Sequence, residues 1–321
     1  MKALITGAGG FVGGHLCRYL LAHTDWELKG TVYPQPVEAQ PEEPRLRLTH
    51  IDLRSPEGVL ALLEETRPDT VFHLAAQSIP SASFADPWGT LETNIRSQLN
   101  ILHSVRVLAL GTRTIVIGSN EEYGRPEAGS LPFTEETPLR PHNPYAVSKV
   151  TQDLMGLQFH LAYGLDVVRM RPFNHTGPGQ PTRFVVPDFA SQIARIEAGL
   201  QEPVIKVGNL AAARDFSDVR DIVRGYHLAA TQGKPGEVYN LASGEPRQVE
   251  ELLQTLLSYA DADIQVETDP KLYRPVDVPV VYGSAEKFHR LTGWEPTYSF
   301  QQTLRDTLDY WREGTKVRSE S

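Results

Sequence analysis

One cysteine, Cys17, stands in a chain of 321 residues. A lone cysteine excludes an internal disulfide framework and fits a reducing cytoplasm. No run approaches the roughly 18 uninterrupted apolar residues of a transmembrane helix, so no membrane span is expected. The opening MKALITGAGGFVGG enters a strand-turn pattern at once. No charged region and cleavable apolar core precede it, so no secretory signal is expected. Positive charge is in deficit. Lys plus Arg is 31 against 40 Asp plus Glu, a net charge of −9, which argues against nucleic acid or an anionic membrane as partner. Any anionic ligand must then be held by a local Arg or Lys cluster. HExxH and CxxC are absent, so no zinc site is expected. Internal repeats and low-complexity tracts are absent as well.

What remains is an ordinary globular composition, 40% hydrophobic and 22% charged, at a length that suits two domains or one large domain with an appendage. The first half alternates strand and helix patterns. Short apolar strands are expected at 2–5, 27–32, 46–51, 70–75, 113–118 and 166–170. Between them lie helical stretches at 13–22, 55–66, 90–108 and 145–163. Leu16, Cys17, Leu20 and Leu21 share one face of the first helix, so Cys17 is expected to pack beneath it. Ser55 is a plausible N-cap, with Pro56 in the first turn behind it. Strands separated by helices pair in parallel through right-handed crossovers, so the fold class is α/β, a doubly wound, Rossmann-like parallel sheet. After Pro172 the pattern breaks up into stretches richer in Pro, Gly and Arg. The expected division is a dinucleotide-binding domain over 1–172 plus about 215–240, and a smaller, sequence-discontinuous substrate lobe over 173–214 and 241–321. Residues 34–44 hold four prolines and read as loop, and 316–321 read as a frayed tail.

Thr6-Gly7-Ala8-Gly9-Gly10-Phe11-Val12-Gly13 follows the first strand and opens the first helix. Gly7 permits a tight turn, Gly10 lets backbone approach a pyrophosphate, and Gly13 lets the helix pack close to the sheet. The helix N-terminus then offers unpaired N–H groups to phosphates. The end of the second strand, Thr31-Val32-Tyr33, carries neither the acid that favours NAD nor the arginine that favours NADP. Glu27 begins that strand, and Arg45 and Arg47 lie too far along. The cofactor is therefore read as NADP or NAD. Asp52, after the third strand, either faces the adenine edge or caps a loop.

Tyr145-Ala-Val-Ser-Lys149 places a phenol and an amine on one helix face. An ammonium beside a phenol favours phenolate and lowers its pKa toward the working range, which makes Tyr145 an acid/base candidate. Ser119 follows the strand RTIVIG, at the carboxyl end where sites of open parallel sheets lie. It is positioned to hydrogen-bond the same substrate oxygen. Asp215, Asp218 and Asp221 recur every three residues and are read as helix-start charges and caps, not as a metal site.

Together these residues make the chain resemble an extended short-chain dehydrogenase/reductase. Further matching stretches are His73-Leu74-Ala75-Ala76, Asn94, Asn143-Pro144-Tyr145 and Arg171-Pro172-Phe173-Asn174. The segments 173–180 (FNHTGPGQ), 207–210 (VGNL) and 214–221 (RDFSDVRD) resemble the branch of GDP-6-deoxy-4-keto-mannose reductases and GDP-mannose 4,6-dehydratases. The resemblance implies a cytoplasmic homodimer acting on a GDP-sugar, paired through the helices at 90–108 and 145–163. It adds Phe11, Val12, Leu53, Leu74, Ala75, Ala76 and Asn94 to the cofactor site. It gives Lys149 the nicotinamide ribose and Ser119 the substrate oxygen. By the same carry-over, Asn174, Lys206, Arg214 and Arg274 hold the sugar nucleotide, with Arg183 a weaker choice. Implied first is hydride reduction of the C4 ketone of GDP-4-keto-6-deoxy-D-mannose to GDP-D-rhamnose, with Tyr145 as proton donor. The alternative is GDP-mannose dehydration, for which Glu121 occupies the position of the additional acid/base carboxylate. The glycine loop, the 173–180 segment and the lack of tandem arginines after the second strand favour the reductase.

Overall fold

A computed structural model describes residues 1–34, 42–272 and 278–319. The first body runs β1 (Lys2–Thr6), α1 (Phe11–His23), β2 (Glu27–Val32), β3 (Leu46–His50), α2 (Pro56–Thr66), β4 (Thr70–His73), α3 (Pro80–Ala85), α4 (Pro87–Val107) and β5 (Arg113–Ile117). A 3-10 turn at Asn120–Tyr123 leads on to α5 (Pro144–Tyr163) and β6 (Val167–Pro172). Then come β7 (Asn174–Thr176), α6 (Val185–Glu197), β8 (Val204–Val207), β9 (Ala213–Asp218), α7 (Val219–Gln232) and β10 (Val238–Leu241). The chain ends with β11 (Pro246–Gln248), α8 (Val249–Leu257), β12 (Gln265–Thr268), β13 (Val280–Val281), α9 (Glu286–Thr292) and α10 (Phe300–Ser319).

Four of the helices, α2, α4, α5 and α7, begin where a side chain satisfies an exposed N–H group of the first turn. Ser55 accepts from the Gly58 N–H at 3.1 Å, as its sequence context suggests. Asp86 accepts from Gly89 N–H at 2.9 Å and, with Pro87 in the first turn, starts α4 three residues before the apolar pattern does. Asn143 accepts from Ala146 N–H at 2.7 Å, and Gly164 closes α5 in the left-handed region with φ 69°.

Seven parallel strands form the main sheet in the order β10-β6-β5-β4-β1-β2-β3. The direction of winding reverses between β1 and β4, which opens a crevice beyond their carboxyl ends. α1 and α7 pack together on one face, while α2, α4 and α5 form a layer on the other. Leu16, Leu20, Trp26, Phe72, Met170 and Ile222 fill the core on the α1 side, and Cys17 lies in it as expected. Leu4, Val59, Leu63, Val71, Ile101 and Val105 fill the opposite side. A second core joins α6, α8 and α10 through Phe189, Ile193, Leu252, Leu256, Leu304 and Leu308.

Two expectations about the later half change. The boundary near 215 falls inside β9, which pairs with β7, β11 and β13 in a small sheet of its own. The segment after 241 is not wholly peripheral, because α9 packs on β10 and α7, and Phe288 and Trp294 are buried in the first core. The three spaced aspartates also divide their work. Asp218 caps α7 by accepting from Arg220 N–H at 2.8 Å. Asp215 instead accepts from Ser243 N–H, Gly244 N–H and Gly283 N–H. Asp221 accepts from Thr297 N–H and Tyr298 N–H. Asp215 thus ties β9, and Asp221 ties α7, to loops remote in sequence, which a cap reading based on spacing misses.

Candidate active site

A cavity of about 1840 Å³ lies over the carboxyl ends of β1, β4 and β5, between the main sheet and the smaller lobe. Its floor begins at the glycine loop. Gly7 takes φ 71°, and a Cβ there would lie 3.1 Å from the Ala75 backbone. At Gly13 a Cβ would collide with the Gly7 carbonyl oxygen and come within 2.8 Å of Ala8 Cα. Gly10 is the N-cap of α1, with no side-chain cap bond and no acid in the first turn. The helix therefore turns uncapped N–H groups and the positive end of its dipole toward the cavity, which fits a dinucleotide pyrophosphate. Phe11, Val12, Leu74, Ala75 and Ala76 line the same end, as do Asp52 and Leu53.

Asn94 does not line the cavity. It is fully buried on α4, where its Oδ1 accepts from Gln77 N–H at 2.8 Å and its Nδ2 donates to Ser148 Oγ at 2.8 Å. It ties the loop after β4 to α5, so its effect on a ligand is indirect. Asp52 lines the cavity with its carboxylate already paired. Its carboxylate accepts from the Arg54 side chain at 2.6 Å, and that bond draws its pKa below the usual aspartate value.

Ser119, Tyr145 and Lys149 meet at the centre of the cavity, each less than one-tenth exposed. β5 delivers Ser119 at its end, and the first turns of α5 deliver Tyr145 and Lys149 on one face. Ser119 Oγ accepts from Glu121 N–H at 3.2 Å and lies near enough to the Tyr145 phenol to act on its titration. Lys149 Nζ donates to the Ile117 carbonyl at 2.8 Å and lies 5.9 Å from the Tyr145 ring centroid. The electrostatics differ from the expectation that the amine lowers the phenol. Burial pushes the Tyr145 pKa well above the usual tyrosine value, Ser119 opposes weakly, and Glu121 and Glu122 push it further up. Burial also lowers Lys149 to about 8, against the pull of Glu122. The physical reason is desolvation: without water, the phenolate is disfavoured more than a cation that is itself desolvated can repay.

Two adjacent acids follow Ser119 and point in opposite directions. Glu121 lines the cavity, where its Oε2 accepts from Asn143 Nδ2 at 2.9 Å and lies 3.9 Å from His142 Nε2. Glu122 is fully buried. Its Oε1 accepts from Ser119 N–H at 2.8 Å, and its Oε2 lies 3.1 Å from Arg171 Nε, short for an ion pair but poorly aligned for a hydrogen bond. Arg171 also holds Asp153, and Arg169 donates to the same carboxylate at 2.6 Å. Burial, with Asp153 nearby, drives the Glu122 carboxyl upward against Arg171. Sequence reasoning passed over Glu122. Its signal is the S-x-x-E spacing of Ser119 and Glu122, a capping box that the structure forms, with Gly118 leaving room for the Glu122 carboxylate.

On the lobe side, Asn174, Lys206 and Arg214 line the cavity, joined by Arg183. Lys206 is exposed on β8, and Arg214 Nη1 donates to the Ala213 carbonyl at 2.8 Å from β9. Arg274 lies outside the described residues.

The family model described as GDP-mannose 4,6 dehydratase matches residues 4–307. The chain belongs to this family, within the extended short-chain dehydrogenases/reductases. It is 36% identical over 321 residues to a GDP-6-deoxy-D-mannose reductase of Pseudomonas aeruginosa, covering 99% of each chain. It is also similar to GDP-mannose 4,6 dehydratase 2 of Arabidopsis thaliana, at 30% identity over 96% of this chain and 86% of that one. The solved structure of RMD from P. aeruginosa complexed with NADPH superposes with a TM-score of 0.86, covering 98% of this chain and 99% of the other at 36% identity. The doubly wound fold is shared throughout, and the glycine cradle stands where a dinucleotide-binding member of this family needs it.

Proposed function

We infer that the protein reduces the C4 ketone of GDP-4-keto-6-deoxy-D-mannose to GDP-D-rhamnose, using a reduced nicotinamide dinucleotide. The observation that carries this reading is the meeting of Ser119, Tyr145 and Lys149 in one cavity of a chain 36% identical along its whole length to a GDP-6-deoxy-D-mannose reductase. When bound, the cofactor supplies a hydride to C4. Tyr145 supplies the proton. With its pKa raised by burial, the phenol stays protonated at neutral pH, so it meets the ketone as an acid and releases its proton to the C4 oxygen as negative charge develops there. Ser119, beside Tyr145 in the cavity, orients that oxygen. Lys149 anchors the ribose hydroxyls and, while cationic, stabilises the phenolate left after proton transfer.

Gly7, Gly10, Phe11, Val12 and Gly13 hold the pyrophosphate in this reading, and Asp52 and Leu53 face the adenosine. Leu74, Ala75 and Ala76 flank the path to the nicotinamide, with Asn94 setting their loop from behind. Asn174, Lys206 and Arg214 hold the sugar nucleotide, with Arg274 joining them by resemblance. Guanidinium forks suit the two phosphates of GDP. In domain terms, 1–172 with about 215–240 serve the cofactor. The segments 173–214 and 241–321 serve the sugar nucleotide, α9 excepted.

One observation favours a second reading. Glu121 faces the cavity two residues from Ser119, held by Asn143, as an acid/base for water loss from GDP-mannose requires. The two readings separate in one pair of assays. Oxidation of NADPH or NADH dependent on the 4-keto sugar, with no water lost from GDP-mannose in the presence of NADP⁺, is expected. Water loss without keto-sugar reduction would reverse the order.

A homodimer in the cytoplasm completes the proposal. Leu99 and Val107 on α4 and Val147, Leu154 and Leu161 on α5 are all more than 40% exposed. They make the paired helices a suitable self-complementary face. Among the described residues no helix is long and apolar enough to cross a membrane. Sedimentation giving a monomer at micromolar concentration would discard the dimer.

A further inference from the structure

We propose that Arg54, seated on Tyr33, is the group that selects the ribose 2′-phosphate of NADP(H) over the free 2′-hydroxyl of NAD(H). The proposal rests on the reading that this cavity holds a nicotinamide dinucleotide. Ribose discrimination in such folds happens at the end of β2. Here that place is Tyr33, directly after Val32, and no lysine or arginine follows until Arg45. Arg45 cannot serve, because its guanidinium donates to the carbonyls of Leu21 and Thr24 at the far end of α1.

Arg54 comes instead from the turn after β3 and reaches across. Its Nη2 donates to Tyr33 Oη at 3.2 Å, and its Cζ lies 5.8 Å from the Tyr33 ring centroid. Tyr33 is held in turn, stacked on His50 with centroids 5.7 Å apart, while His50 Nε2 lies 2.9 Å from the Pro34 carbonyl oxygen. Tyr33, Pro34, Asp52 and Arg54 all line this end of the cavity, and Arg54 is the one Lys or Arg among the described lining residues there.

The charge arithmetic points the same way. Asp52 sets a carboxylate at this rim. A 2′-phosphate brings close to two further negative charges, so such a rim alone would turn it away. Arg54 neutralises Asp52 through Nε and Nη2. Its Nη1 has no partner among the described residues, which leaves donors of the guanidinium fork for a phosphate oxygen. The selecting arginine is thus displaced from the second strand to the turn after the third.

The test is calorimetric titration with 2′,5′-ADP, which carries the 2′-phosphate, and with 5′-AMP, which differs only in lacking it. The unaltered protein is expected to bind 2′,5′-ADP more tightly by about tenfold or more, the size expected of one charge-assisted contact. Arg54→Ala is expected to abolish that preference and leave the 5′-AMP affinity within about twofold, which also shows the site still folded. Arg54→Lys is expected to restore part of it. An undiminished preference in Arg54→Ala, or no preference in the unaltered protein, would overturn the assignment. If neither probe binds, the dinucleotide reading itself fails, and the assignment with it.

Discussion

The two walls of the cavity are built differently. On the main-sheet wall, Ser119, Tyr145 and Lys149 are nearly inaccessible, with Ser119 Oγ held by Glu121 N–H and Lys149 Nζ by the Ile117 carbonyl. Their rotamers leave little to chance. On the lobe wall, Lys206 is exposed on a two-stranded sheet and Arg183 sits in an exposed loop. The difference teaches that reaction type and substrate choice are held with unequal stiffness. A proton donor must be placed to within fractions of an ångström, whereas a diphosphate can be met by long cationic side chains that adjust to it.

The comparison is easiest to break at Tyr145. Tyr145→Phe removes the proton donor and keeps the ring, so turnover should fall by about 10² to 10⁴-fold. Cofactor affinity, followed by nicotinamide fluorescence, should hardly change; equal losses in both would mean that Tyr145 is structural. The second test sets the adjacent acids against each other. Glu122→Ala leaves Ser119 N–H without its buried acceptor and removes one of the two carboxylates that balance Arg171, and should cost about 3 to 5 kcal/mol in urea unfolding. Glu121→Ala, at a half-exposed position, should cost under about 1 kcal/mol. Similar losses for both would erase the distinction between cavity-facing and supporting carboxylate.

The flexible wall should yield less. Arg214→Ala is expected to raise the KM for the sugar nucleotide by the equivalent of about 1.5 to 3 kcal/mol, with kcat nearly kept. A loss confined to kcat would move Arg214 out of ground-state binding. The smallest effect is in pH. Lys149, lowered to about 8, is cationic below that pH and neutral above it, while Tyr145 remains protonated across the range. The kcat/KM should therefore be flat below about pH 8 and fall by up to tenfold per unit above it. A flat profile through pH 9 would mean that the ammonium charge does not contribute.

Much of the fold was legible because local patterns and tertiary needs agree. Alternating apolar strands and amphipathic helices announced the doubly wound sheet, and Ser55 and Cys17 sit where their neighbours in the chain suggested. Asp86 shows the usual shortfall: it starts α4 early through a bond that apolar periodicity does not report. In the site, Gly7, Gly10, Gly13, Ser119, Tyr145 and Lys149 were legible because each has a strand or helix terminus beside it in sequence. The bonds of Asn94 were not legible. Its amide serves the Gln77 backbone and Ser148, partners that no local pattern could supply.

By itself, the order of residues determined the layered α/β architecture, the glycine cradle and the identity of the reacting groups, since these depend on periodicity, φ freedom and intrinsic chemistry. Only the tertiary structure decided how those groups behave. It set which of Glu121 and Glu122 faces the cavity, raised the Tyr145 phenol by burial, and brought Arg54 onto Tyr33 across a gap in sequence. Each of these turns on desolvation and through-space charge, which depend on distances that a linear sequence does not contain.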